Sequence, residues 1–185
     1  MDDAKEFICN DGKSALRREL AARRAALTDK PWRSRSACLT AAEHVRGSVM
    51  IYASIGSELS TETLIARLSM RSDVELFVPY TSDGEIEICK FISQGRADKL
   101  GNLPKECLAF TSDVKLDYCI TPLLGFNERG YRIGYGKGCY DKFFRKHTEC
   151  VKIGLAFDCQ RCEFTPQPFD VPLDRCITET DVIYF

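Results

Sequence analysis

Short apolar runs alternating with stretches of helical periodicity constrain this chain more than any other feature. The runs are Val49–Ala53, Val74–Val78, Ile86–Phe91, Tyr118–Leu124, Lys152–Phe157 and Val182–Tyr184, all of strand length. Between the first two, Leu64, Ile65 and Leu68 recur at helical spacing within Thr61–Arg71. Further helices are expected over Lys13–Leu27, over Ser34–Val45 and from near Tyr140. Strands alternating with helices pack as a sheet covered on both faces. The predicted class is therefore α/β, a three-layer α/β/α sandwich around a mostly parallel, mixed sheet. Tyr118–Leu124 is apolar almost throughout, as a central buried strand requires. Ser82–Asp83–Gly84 separates two of the runs and predicts a hairpin. A length of 185 residues fits one domain, residues 1–185.

Composition excludes several classes of function. Lys and Arg total 26 against 27 Asp and Glu, a formal net charge of −1. A duplex nucleic-acid binder carries a basic excess, so no nucleic-acid partner is expected. No run approaches the roughly 18 apolar residues that span a bilayer. The opening MDDAKEFICN lacks the apolar core of a secretory signal, and its acidity is unlike a transit peptide. The expectation is a cytoplasmic protein with no membrane partner. The 10 cysteines lack the dense spacing of a disulfide scaffold and read as free thiols. Cys159 and Cys162 form one CxxC, but zinc needs a second pair or two placed histidines, and the chain holds only His44 and His147.

The first helix carries an unusual charge pattern. Asn10 or Asp11 is placed to cap it, and Pro31 follows its end. At about 100° per residue, Leu16, Leu20 and Leu27 share one stripe. Lys13, Arg17 and Arg24 form a second narrow row directly beside it. Solvated charges normally oppose the buried stripe. A row that flanks the stripe either snorkels over the surface or extends along the protein body toward a cleft.

Residues 121–144 read TPLLGFNERGYRIGYGKGCYDKFF. An apolar strand ends at Pro122–Phe126, a polar turn follows at Asn127–Gly130, and glycines alternate at Gly134, Gly136 and Gly138 before a helix. Glycine permits positive φ and close approach of a ligand. Successive amides in such a turn can point at one anion, and the next helix adds the positive end of its dipole. Arg132 and Lys137 add full charges. Asp141, in the first helical turn, suits a hard cation. The turn is not a Walker A loop, because no Ser or Thr follows Gly136–Lys137. It is not GxGxxG either, because Cys139 takes the third position. The residues alone leave phosphate binding and a structural glycine turn both open.

The segment resembles the signature of the 5-formyltetrahydrofolate cyclo-ligase (5,10-methenyltetrahydrofolate synthetase) family. That signature, G-x-R-[LI]-G-x-G-x-G-x-Y-D, is met by Gly130, Arg132, Ile133, Gly134, Gly136, Gly138, Tyr140 and Asp141. Outside it, the family's opening K-x-x-[LI]-R and a later arginine are matched by Lys13, Leu16, Arg17 and Arg24. Its E-[IL]-x-T is matched by Glu58, Leu59 and Thr61, and a strand-ending proline by Pro79. Its A-[FY]-x-x-Q and later aspartate are matched by Ala156, Phe157, Gln160 and Asp170.

The resemblance implies an ATP- and Mg²⁺-dependent ligase of one-carbon metabolism. Such an enzyme closes 5-formyltetrahydrofolate to 5,10-methenyltetrahydrofolate by phosphorylating the formyl oxygen. It implies ATP contacts from Lys13, Arg17, Arg132, Ile133, Gly134, Tyr135, Gly136, Lys137, Gly138, Cys139 and Tyr140, with Tyr140 closing the cradle and Lys137 and Arg132 catalytic. Folate contacts are implied for Ala53, Glu58, Tyr135, Gly136, Lys137, Gly138 and Cys139, with Glu58 on the pterin. Asp141 and Asp170 would hold Mg²⁺. The expected partners are ATP and a folate, including polyglutamylated forms, bound by a monomer. The alternative is a catalytically silent relative that binds nucleotide or folate. Four positions depart from the family pattern. Tyr80 follows Pro79 in place of a cation, Leu103–Pro104 replaces Glu-Pro, Cys139–Tyr140 replaces tandem tyrosines, and Asn127 replaces Asp. None removes a phosphate contact, so their expected effect is on the folate side.

Overall fold

The computed structural model describes residues 3–91, 108–111 and 114–185. The departure at Leu103–Pro104 lies outside the described residues. Helix α1 (Asp3–Ala26) leads into α2 (Lys30–Glu43), β1 (Gly47–Ile51), α3 (Glu62–Leu68), β2 (Val74–Ser82), β3 (Glu85–Phe91) and β4 (Leu108–Phe110). Then follow β5 (Tyr118–Thr121), β6 (Gly125–Phe126), β7 (Arg132–Ile133), α4 (Cys139–Lys146), β8 (Val151–Leu155), β9 (Arg175–Ile177) and β10 (Val182–Tyr184).

Eight strands form one sheet in the order β10-β9-β8-β5-β1-β2-β3-β4. The central pairs β9–β8, β8–β5, β5–β1 and β1–β2 are parallel, and the outer pairs β10–β9, β2–β3 and β3–β4 are antiparallel. The class is α/β, with a mixed sheet as the sequence predicts. Alternation along β1 explains the layers. Val49 and Ile51 join α2 and α3 residues such as Ala41 and Leu64 in one core, while Met50 joins Phe143 and Phe144 of α4 in another. Helix α1 lies apart from both, with Leu20 packed on Leu124 and Ile133. Among the described residues, no helix is long and apolar enough to cross a membrane.

Several boundaries differ from the sequence expectation. Helix α1 begins at Asp3 and runs through Asn10 and Asp11, so neither caps it. Pro31 opens α2 instead of trailing α1, because proline needs no amide partner in a first turn. The Tyr118 run leaves the sheet after Thr121, and its continuation forms the short hairpin β6–β7. The β2–β3 hairpin turns at Asp83–Gly84 as expected. The described cysteines are free thiols. Burial pushes Cys38 up to about 12 and Cys162 up to about 11, so both are held as inert protonated groups.

The connectivity sets the position of the site. From β1 the chain crosses to β2 on one side, and β5 then takes the other side of β1. Strand order therefore reverses between β1 and β5. In open α/β sheets, the carboxyl ends of strands at such a reversal bound a crevice where ligands sit.

Candidate active site

A cleft of about 400 Å³ opens at that reversal. Ile55, just past β1, and Pro122, just past β5, line it. So do Lys13 and Arg17 of α1, Thr81 of β2, residues 132–141, and Gln167, Phe169 and Asp170 of the loop before β9.

The glycine turn forms one wall. Gly136 and Gly138 have φ of +98° and +66°, in the left-handed region that L side chains rarely adopt. A Cβ at Gly136 would also come 3.3 Å from the Arg17 guanidinium carbon. Gly138 is the N-cap of α4, and its carbonyl accepts the first helical bond, from Lys142 N at 3.0 Å. Gly134 differs, because its φ lies outside the left-handed region and a Cβ there meets nothing within 4 Å. Its bareness serves open space over the cleft rather than the backbone. No described group accepts a hydrogen bond from the amides of residues 135–141. Tyr135 to Gly138 are exposed, and Lys137 pairs with no described carboxylate. The turn thus presents unpaired donors beside an unpaired ammonium group.

The flanking cation row of α1 faces this turn. Lys13 Nζ donates to Asp170 Oδ2 at 3.0 Å, and Arg17 Nε donates to the Gly134 carbonyl at 3.0 Å. Two turns beyond Arg17, Arg24 is only 3 % exposed. It donates to Ser57 Oγ at 3.1 Å, to the Leu123 carbonyl at 3.1 Å and to Tyr135 Oη at 2.8 Å. The row therefore serves the cleft and is not a set of snorkelling surface cations.

The two carboxylates singled out for metal sit in this wall, each half engaged. Asp141 Oδ1 accepts from Arg132 Nη2 at 2.9 Å and from Val171 N at 3.0 Å. Asp170 Oδ2 accepts from Lys13 and from Gln167 N at 2.8 Å. The second oxygen of each is uncommitted. No cluster of three His, Cys, Asp or Glu groups able to hold a metal exists among the described residues. Two carboxylates with free oxygens fit Mg²⁺ only where a phosphate and water supply the remaining ligands. Arg132 is itself buried, with its Nη1 on the Val171 carbonyl at 2.7 Å and its guanidinium carbon 5.1 Å from the centre of the Phe144 ring. It organises Asp141 more than it projects into solvent.

Other expected residues take different places. Tyr140 lines the cleft but is backed by Phe144, with ring centres 5.9 Å apart, so it belongs to the wall and is not a lid. Burial pushes its phenol well above the ordinary value. Ile133 and Cys139 line the cleft. Ala53 and Glu58 do not line it. Ala53 packs on the sheet core, and Glu58 reaches the cleft through Tyr135, whose Oη donates to Glu58 Oε1 at 2.7 Å, and through the Ile55 amide, which donates to Oε2 at 2.8 Å. Asn127, buried at 2 %, accepts from the amides of Arg129 and Tyr131 and donates to the Phe164 carbonyl at 3.4 Å. An aspartate could make the first two bonds but not the third. Gln160 shows why the A-[FY]-x-x-Q motif matters. Its side chain holds the carbonyls of Leu123 and Leu124 at 2.7 and 3.1 Å, fixing the exit from β5.

The sequence reading missed Ile55, Thr81, Pro122, Gln167 and Phe169 as site residues. Ile55 and Phe169 are 57 % and 58 % exposed, a cost in water that a ligand would offset. An apolar residue stranded in a polar loop was the only available signal.

Comparison with known proteins gives consistent results. Residues 10–179 match the model of the 5-formyltetrahydrofolate cyclo-ligase family. A 5-formyltetrahydrofolate cyclo-ligase of Escherichia coli is 30 % identical over 145 residues, covering 73 % of this chain and 79 % of that protein. One from Mycoplasma pneumoniae is 41 % identical over 66 residues; that stretch spans 35 % of this chain and 40 % of the relative's length. In structure, the chain resembles a 5,10-methenyltetrahydrofolate synthetase from Mycoplasma pneumoniae, with a TM-score of 0.74 and 25 % identity. That match covers 90 % of this chain and 98 % of the other.

Proposed function

The chain belongs to the 5-formyltetrahydrofolate cyclo-ligase family, and on that premise we propose that it converts 5-formyltetrahydrofolate to 5,10-methenyltetrahydrofolate with hydrolysis of ATP. The observation that carries this reading is the set of unpaired amides at residues 135–141, beside Lys137 and in reach of the α1 cations. A triphosphate needs such a cradle, and a purely structural turn does not.

The formyl oxygen attacks the γ-phosphorus and ADP leaves. N10 then adds to the activated formyl carbon and gives up its proton. Finally the C–O bond breaks, releasing phosphate that carries the former formyl oxygen. The chain's residues hold the reacting groups in line and neutralise the charge that builds on the phosphoryl oxygens. The amides of Tyr135 to Tyr140, with Lys13, Arg17 and Lys137, hold the phosphates. Lys137 is the catalytic cation, and Arg132, expected beside it, acts through Asp141. Lys137 is free to follow the moving phosphoryl group, while Arg132 keeps Asp141 in place. Asp141 and Asp170 would hold Mg²⁺ through their free oxygens, and the ion would offset phosphate charge. On the folate side, Ile55, Thr81, Pro122 and Tyr135 offer a largely apolar wall for a flat ring, with Ala53 and Glu58 supporting it from behind. The reading is of a cytoplasmic monomer, with the polyglutamate tail leading out of the open mouth of the cleft.

The test is direct. Purified protein with 5-formyltetrahydrofolate, ATP and Mg²⁺ should develop the near-ultraviolet absorbance of the methenyl product. Nucleotide binding without that absorbance would instead identify a silent relative.

A further inference from the structure

Arg24, Tyr135 and Glu58 come together from distant parts of the chain. The Arg24–Tyr135 bond spans 111 positions and the Tyr135–Glu58 bond spans 77. Among the described residues, no carboxylate lies within ion-pair distance of Arg24, although its guanidinium is almost wholly buried. A buried charge needs compensation. Ser57 Oγ and the Leu123 carbonyl take two of its bonds, and the link to a carboxylate runs through one phenol. Arg24 Nη2 donates to Tyr135 Oη, so the phenolic hydrogen must point elsewhere, and the acceptor it meets is Glu58 Oε1 at 2.7 Å. Glu58 Oε2 in turn accepts from the amide of Ile55 at 2.8 Å, and Ile55 lines the cleft.

The geometry points to Arg24 and Tyr135 as positioning residues that couple the phosphate turn to the β1–α3 side of the cleft through Glu58 and the Ile55 backbone, so that nucleotide and folate each favour binding of the other. The coupling rests on the reading above for which ligand lies on which side. Tyr135 sits between Gly134 and Gly136, so phosphate on the neighbouring amides fixes the backbone that aims its ring. A fixed ring aims the phenolic hydrogen at Glu58, and Glu58 fixes the loop carrying Ile55. Either ligand thereby orders a segment the other needs, and the second to bind meets less conformational entropy loss. Tyr135 is half exposed, so its hydroxyl is not required to fill the core. Its place in the relay is chemical.

The test measures the dissociation constant of a non-hydrolysable ATP analogue with Mg²⁺ by calorimetry, with and without saturating 5-formyltetrahydrofolate. The ratio of the two constants is the coupling, and it cancels any loss common to both conditions. In the unaltered protein the folate should tighten the analogue at least about fivefold, the low end of typical coupling. Tyr135→Phe keeps the ring and removes the relayed hydrogen, and its ratio should fall to within about twofold of unity. Arg24→Lys, which keeps the charge but whose compact ammonium cannot span acceptors spread around a guanidinium fork, should fall between. A Tyr135→Phe ratio equal to that of the unaltered protein, or no coupling in a protein that binds both ligands, overturns the relay and leaves the proposed activity standing. Failure of the unaltered protein to bind one of the two ligands overturns both.

Discussion

Lys137 and the amides of residues 135–141 face the cleft without acceptors, whereas Arg24 of α1 and Glu58 of the β1–α3 loop spend their donors and acceptors on other protein groups. The first wall is built for something that is not protein. Its polar groups would be costly in a dry interior, but here they sit in water until a polyanion replaces it. The second wall is satisfied by the fold itself. It presents the apolar faces of Ile55, Pro122 and Tyr135, and its polar groups hold those faces in place. Substitutions in the first wall should therefore act on ligand use, and those at its buried supports on stability.

The largest effect tests where that boundary lies. Arg132→Ala leaves the half-buried Asp141 carboxylate without its cation. Breaking a buried pair from one side costs about 3–5 kcal/mol, so the thermal midpoint should fall by roughly 6–20 °C. An unchanged midpoint in calorimetry would move Arg132 from support to ligand contact. Next, Lys137→Ala should lower kcat/KM for ATP roughly 10²–10³-fold, the scale of one donor to developing charge, with no comparable loss of folate affinity. Equal losses for both ligands in steady-state kinetics and binding would erase the division between the walls. Asp141→Asn keeps the shape but weakens the hold on a cation, so the Mg²⁺ concentration for half-maximal rate should rise about tenfold, the lower end for perturbed metal sites. A superimposable magnesium titration would remove Asp141 from that role.

The smallest effects separate two glycines within the same wall. Gly136→Ala forces a side chain to a φ of +98° and should cost about 1–2 kcal/mol in denaturant unfolding. Gly134→Ala meets open space and should leave stability within about 0.5 kcal/mol, yet its methyl group would stand where phosphate must approach and weaken nucleotide binding. Equal destabilisation by both would mean that Gly134 serves the backbone after all.

The same contrast explains what could be read in the sequence. The phosphate wall is local. Its glycines, cations and Asp141 lie within ten positions of one another, and the helical spacing of Lys13, Arg17 and Arg24 places those cations on one line. The order of strands and helices was legible for the same reason, since apolar periodicity is a short-range signal. The Arg24–Tyr135–Glu58 chain was not, because hydrogen bonds across 111 and 77 positions leave no pattern in spacing. Glu58 could be matched to a motif, but only the fold shows that it stands behind Tyr135. Arg175–Ile177 and the two-residue strands β6 and β7 are too short to show a period. The early start of α1 is hidden in the sequence because Asn10, Asp11 and Gly12 look like a helix boundary, yet the helix passes through them.

Whether the glycine turn holds phosphate can be read from its own amides. A nitrogen–proton correlation spectrum, recorded while Mg²⁺ and a non-hydrolysable ATP analogue are titrated in, reports on each of them. Saturable shifts should concentrate at residues 134–141, with Arg46 and Asp117 at the far end of the sheet unmoved. Nucleotide binding that leaves those amides where they were would contradict the account.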